Sequence, residues 1–127
     1  MLFRSLRSHF DSRADDEFGL SDDAIVHLHG VGGLTVAKLR NDLDIVSLLS
    51  PHVVILEMSR NDLASLSPDV TGSDIEELVR LLLDTFSVRV IGVCEVIPRV
   101  RAPFFNSAAS ILNQNLCGVL EPIPNVF

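Results

Sequence analysis

Two hydrophobic periods run along this chain, and the switches between them predict its elements. From Ala24 to His29, Ile25, His27 and His29 interleave with Val26 and Leu28, a period of two that predicts a strand; Gly30 to Gly33 then break it as a tight turn. From Thr35 to Leu49 the period changes. Val36, Leu39, Leu43, Val46 and Leu49 recur at steps of three or four, an amphipathic helical stripe closed by Ser50-Pro51. Val53 to Glu57 is a second strand, too continuously apolar for one wet face, as expected of a parallel strand covered on both sides. Asp74 to Phe86 returns to the helical spacing through Ile75, Leu78, Val79, Leu82 and Phe86, with Ser73 or Asp74 as its N-cap. Val88 to Val93 is a third strand, and Phe104 to Leu116 a third helix carrying Ala108, Ile111, Leu112 and Asn115. In the tail, Pro122 and Pro124 leave only Asn125-Val126-Phe127 free to begin another strand.

Strand and helix in regular alternation predict an α/β sandwich, a parallel sheet with right-handed crossovers. The two ends fit less well. Leu2, Leu6 and Phe10 fall at i, i+4 and i+8, so the start is expected to be helical, without a strand to feed that helix. At the other end a strand begins and stops. The expectation is a single partial domain over residues 1–127, its first and last elements missing.

Composition narrows the class. A chain of 127 residues suits one compact domain, and a hydrophobic content of 47% is enough for a packed core. The net charge of −7 argues against nucleic acid as a partner, because phosphate affinity needs clustered Lys and Arg. Arg4, Arg7 and Arg13 are answered by Asp15, Asp16, Glu17, Asp22 and Asp23, an acidic run read as a solvated loop because it lacks the ligand spacing of a cation site. No segment reaches the roughly 20 apolar residues of a membrane span. Arg4 and Arg7 interrupt what a secretion signal would keep apolar, so a soluble, cytoplasmic or otherwise intracellular chain is expected. Cys94 and Cys117 form neither a disulfide framework nor a metal pattern, and Cys94, within an apolar strand pattern, reads as a buried, inert thiol.

The chemistry concentrates where the second strand ends. Val53-Val54-Ile55-Leu56 runs through Glu57-Met58-Ser59-Arg60 into Asn61-Asp62, delivering an amide and a carboxylate to the edge where open α/β sheets bind ligands. Gly30-Val31-Gly32-Gly33-Leu34-Thr35 follows the first strand, and neighbouring parallel strands would bring the two loops together. A glycine backbone N–H and the Asn61 NH₂ would then converge as two neutral donors, the requirement of an oxyanion hole.

These motifs resemble the SGNH/GDSL hydrolase family, over almost the whole chain. Its Gly-x-Gly-Gly-x-Thr loop is matched by Gly30 to Thr35. Its Pro-x-x-Val…Gly-x-Asn-Asp segment is matched by Pro51 to Asp62, with Ser59 replacing the usual glycine, and its strand ending in Pro-Arg is matched by Val90 to Val93 with Pro98-Arg99. The chain is also similar to the esterase-type domains of animal retrotransposon reading frames. The resemblance implies a flavodoxin-like three-layer α/β/α sandwich, a small acyl-ester substrate, no cofactor and no metal. It implies that Gly33 and Asn61 are oxyanion donors. The family's third donor and nucleophile, a serine after the first strand, is expected at or just before Met1, and its Asp-x-x-His beyond Phe127; the chain contains no Asp-x-x-His. A domain without nucleophile and base is expected to be inactive alone.

Other residues do not fill the gap. Ser5 and Ser8 read as serines on the surface of the first helix, His27 and His29 as strand residues without further metal ligands, and His9 and His52 as surface residues. Asp62 reads as a turn former bonding local backbone N–H groups. Two further readings stand beside the hydrolase: a non-catalytic α/β module binding a partner or ligand at the same edge, and a transposon-derived relic without function. A dinucleotide site lacks its third spaced glycine and its acidic residue.

Overall fold

The computed structural model describes residues 1–4 and 26–127, the side chains of residues 2–4 excepted. Its elements are β1 (Leu2–Arg4), β2 (Leu28–Gly30), α1 (Val36–Asn41), α2 (Asp44–Leu49), β3 (Val53–Glu57), α3 (Pro68–Asp84), β4 (Val90–Val93) and α4 (Pro103–Leu120). All strand pairs are parallel, in the order β2-β1-β3-β4. The chain is an α/β domain, as the alternation of periods predicts.

The start differs from expectation. Leu2–Arg4 is a strand, not a helix, and it lies inside the sheet between β2 and β3. The i, i+4, i+8 spacing of Leu2, Leu6 and Phe10 does not by itself exclude a short strand over Leu2–Arg4. Pairing decides: Leu2, Phe3 and Arg4 lie opposite Leu28, His29 and Gly30 on one side and Ile55, Leu56 and Glu57 on the other. The strand expected to be missing is therefore present. The rest of that expected helix, with Ser5, Ser8 and His9, and the acidic run from Asp15 to Asp23 lie outside the described residues.

The tail behaves as expected. Val126 bridges to Ile91 in parallel, and Ile91 N–H to Asn125 O, Phe127 N–H to Ile91 O and Val93 N–H to Phe127 O continue the ladder beyond β4.

Helix boundaries follow capping chemistry more than hydrophobic period. The stripe from Thr35 to Leu49 is two short helices, because at Asp42 the backbone tightens onto Leu39 O and leaves the α region. Ser50, at φ +44, closes the second before Pro51. α3 starts six residues before the expected Asp74. Ser67 caps it, its Oγ accepting from Val70 N–H at 3.3 Å, and Pro68 fills the first turn, where its missing N–H is no loss. Pro103 likewise opens α4.

The core joins Val54 and Leu56 of β3 and Ile91 of β4 to Leu39, Ile75, Leu78 and Leu112, and α3 packs against both α1 and α4. The opposite face of β3 differs from the expected full cover: Val53 and Ile55 are 44% and 40% exposed. The parallel register aligns Arg4, Gly30 and Glu57, so the loops after β2 and β3 leave the same sheet edge.

Candidate functional site

The loop after β2 is held by one apolar anchor and one glycine. Leu34 N–H bonds Val31 O at 3.3 Å, closing a turn with Gly33 in its third position at φ +64, where a type II turn needs a residue without Cβ. Leu34 is wholly buried and ties the loop to the core. Thr35 then caps α1, its Oγ1 accepting from Lys38 N–H at 3.2 Å. Lys38 turns back so that its Nζ donates to Gly33 O at 2.9 Å, bringing a positive charge to the glycine turn.

The loop after β3 reaches this turn. Asn61 Nδ2 donates to Leu34 O at 2.9 Å, and Asp62 Oδ1 accepts from Val36 N–H, at the start of α1, at 3.1 Å. β2 and β3 are not neighbours, as the sequence suggested they would be; β1 separates them, and the two loops meet across its carboxyl end. Asp62 does more than bond local backbone, since beside the bond from its own backbone N–H it accepts one from 26 residues away. Asp62 is 2% exposed, and its Oδ2 is buried without a hydrogen-bond partner. Burial pushes its carboxyl pKa up, with Asp74 adding to the rise, while the bonds from Val36 and its own backbone oppose it.

Ser59 replaces the glycine of the resembling motif at a position that favours glycine. It is buried at φ +82, left-handed backbone that burdens any residue with a Cβ. Ser59→Gly is expected to raise stability by about 0.5–1 kcal/mol, relief of strain outweighing the added freedom of the unfolded chain. Urea unfolding of the two proteins checks this.

The loop after β4 completes the edge and is pinned by two asparagines of α4. Asn113 accepts from Val96 N–H at 2.9 Å and donates to Val96 O at 3.1 Å; Asn106 does the same to Arg99 at 2.7 and 2.9 Å. Arg99 stacks 4.0 Å above the Phe105 ring and donates to Arg60 O at 3.4 Å, joining the third loop to the second. Two grooves of about 410 Å³ each, sharing Glu95, Asn113 and Cys117 in their walls, run between this loop and α4. Cys94, read from sequence as buried, is exposed and lines one of them with Cys117. It falls just past the last residue of β4, where the strand's cover ends.

Gly33 and Asn61 are thus brought together, through the residue that follows Gly33. His29 pairs with Asp42 at 3.3 Å, a contact between strand and helix end that no local motif announces. His27 and His52 are exposed, and no group of three or more metal-ligating side chains occurs among the described residues. No helix among them is long and apolar enough to cross a membrane. Lys38 at the glycine turn and the two asparagine clamps of α4 have backbone groups as partners, which no side-chain motif marks in the sequence. Compared with known proteins, the chain matches no protein-family model and no curated relative.

Proposed function

We propose that this chain is an SGNH/GDSL-type acyl-ester hydrolase domain that keeps part of the oxyanion hole, supplied by Gly33 N–H and Asn61 Nδ2, and is inactive alone. One observation supports this above the rest: Asn61 and Asp62 bind the glycine turn and the start of α1 across the end of β1. At that edge a developing negative charge would meet a glycine N–H, the Asn61 amide and the Lys38 ammonium held at Gly33 O. The order β2-β1-β3-β4, with residues 125–127 on the β4 side, is compatible with a flavodoxin-like three-layer sandwich, a fold whose ligands sit at the β1/β3 switch point.

An oxyanion hole without a base cannot drive ester cleavage far, and no Asp-x-x-His occurs in the sequence. Loss of nucleophile and base lowers turnover by about a millionfold in serine hydrolases of known mechanism. Purified chain is therefore expected to hydrolyse p-nitrophenyl acetate no faster than an equal concentration of free imidazole. Ser5, the first residue after β1 in the sequence, supplies the control. A faster rate would overturn the proposed inactivity; its loss in Asn61→Ala would place the reaction at this site, and its loss in Ser5→Ala would assign the attack to Ser5.

A further inference from the structure

We infer that the segment from Ile97 to Phe104, with the outer face of α4, binds anionic lipid surfaces. Ile97, Val100 and Phe104 are 65%, 91% and 92% exposed, a concentration of bare apolar side chains within one short segment. Their exposure is built in, because the segment is tied down on both sides. Asn113 holds Val96 through both backbone polar groups, Asn106 holds Arg99 the same way, and the Arg99 guanidinium rests on Phe105. Between these anchors and Pro103, the chain turns through Arg101 at φ +56, and Val100 stands in solvent at the turn. A clamped loop that keeps its apolar residues outward is organised to meet an apolar phase.

Charge selects the partner. From Val96 to Leu120 there is no Asp or Glu, and the only charges are Arg99 and Arg101, in a chain whose net charge is −7. α4 carries no charged residue, and on its exposed side Ile111 lies two turns after Phe104, with Ser107 between them. Asp69 of α3, which packs against α4, is engaged by Asn115 Nδ2 at 2.8 Å. Apolar side chains flanked by arginines, with Glu95 in the wall of the adjoining groove, fit the boundary between anionic headgroups and acyl chains. The segment adjoins the candidate site through Arg99 and Arg60 O. Lipid binding goes beyond the hydrolase proposal and is read without turnover, so either can fail alone.

The sequence provides a clean reporter, since it has no Trp and no Tyr. Phe104→Trp places a single indole in the segment, and Leu48→Trp places one on the exposed side of α2 as a control. Vesicles of phosphatidylcholine with roughly a third phosphatidylglycerol are titrated into each, with circular dichroism confirming that both variants are folded. Emission from the Phe104→Trp protein is expected to move to shorter wavelength and brighten, while the Leu48→Trp protein does not respond. Adding Arg101→Glu to the Phe104→Trp protein should weaken partitioning about tenfold or more, and raised salt should weaken it too. No response from the Phe104→Trp protein, or an equal response on pure phosphatidylcholine, would overturn the inference. So would a shift that grows with protein concentration in the absence of lipid, which would assign the surface to a second copy of the chain.

Discussion

Leu34→Ala is expected to destabilise the domain by about 2–5 kcal/mol, the range for truncating a fully buried leucine whose site cannot collapse. Domains have about 5–15 kcal/mol in total, so the variant should melt at markedly lower temperature. The consequence reaches past the core. Leu34 is the apolar foot of the glycine turn, and its carbonyl is the acceptor for Asn61. Its loss should loosen Gly33 and Asn61 together, whereas truncation of Leu82, equally buried on α3 but bonded to neither loop, should lower stability and leave the turn in place. Thermal unfolding measures the first effect. Amide hydrogen exchange at residues 31–36 distinguishes the second, rising in Leu34→Ala well above its level in Leu82→Ala under native conditions.

Asp62 carries the second large effect, and pH separates its two parts. Asp62→Ala leaves the Val36 N–H without its acceptor at the start of α1, at a cost of about 1–2 kcal/mol. Asp62→Asn keeps an oxygen for that N–H and removes a buried charge whose Oδ2 has no partner, so at neutral pH it should lie within about 1 kcal/mol of wild type. The sign of the pH dependence follows from the raised pKa. The folded state holds the Asp62 proton more tightly than the unfolded chain, whose carboxyl titrates near its ordinary value of 3.8. The contribution of this group to stability is therefore fully present below that value and lost as pH rises through the elevated folded pKa. Lowering pH from neutral toward 4 should thus stabilise wild type relative to Asp62→Asn. Denaturant unfolding of both proteins across that range checks the sign; a difference that moves the other way would mean that the Val36 bond, not burial, governs Asp62.

Much of the edge was legible in the hydrophobic pattern. Val53 to Glu57 is a strand over the predicted residues, the glycine turn lies where the period breaks, and Asn61 and Asp62 sit just beyond the strand end. What sequence could not supply was spatial order. β2 and β3 follow one another among the predicted strands, yet β1 lies between them; Leu2, Leu6 and Phe10 have the spacing of a helix, and a strand of Leu2–Arg4 alone is too short to show a period of its own. Asp62 illustrates the same limit within the site. A carboxylate beside a turn suggests a local bond, and only the tertiary structure brings Val36 N–H within 3.1 Å. The early start of α3 was legible: Ser67-Pro68 is a capping serine followed by a first-turn proline, a stronger boundary signal than the apolar stripe that begins later. The exposure of Cys94 was not, since it depends on where cover ends and not on the apolar run that precedes it.

Gly33 and Asn61 are proposed to form a donor pair for an oxyanion, fixed by the bonds from the Asn-Asp loop to the glycine turn. A methyl alkylphosphonate, anionic and tetrahedral like an ester-hydrolysis intermediate, probes this without requiring a nucleophile or a base. Titrated into nitrogen-15-labelled protein, it should shift the Gly33 backbone amide and the Asn61 side-chain amide together, along one saturating curve, and Asn61→Ala should abolish the Gly33 shift. If both resonances stay fixed, or Gly33 responds equally in Asn61→Ala, the pair does not act as an oxyanion site and Asn61 is only a structural clamp on the turn.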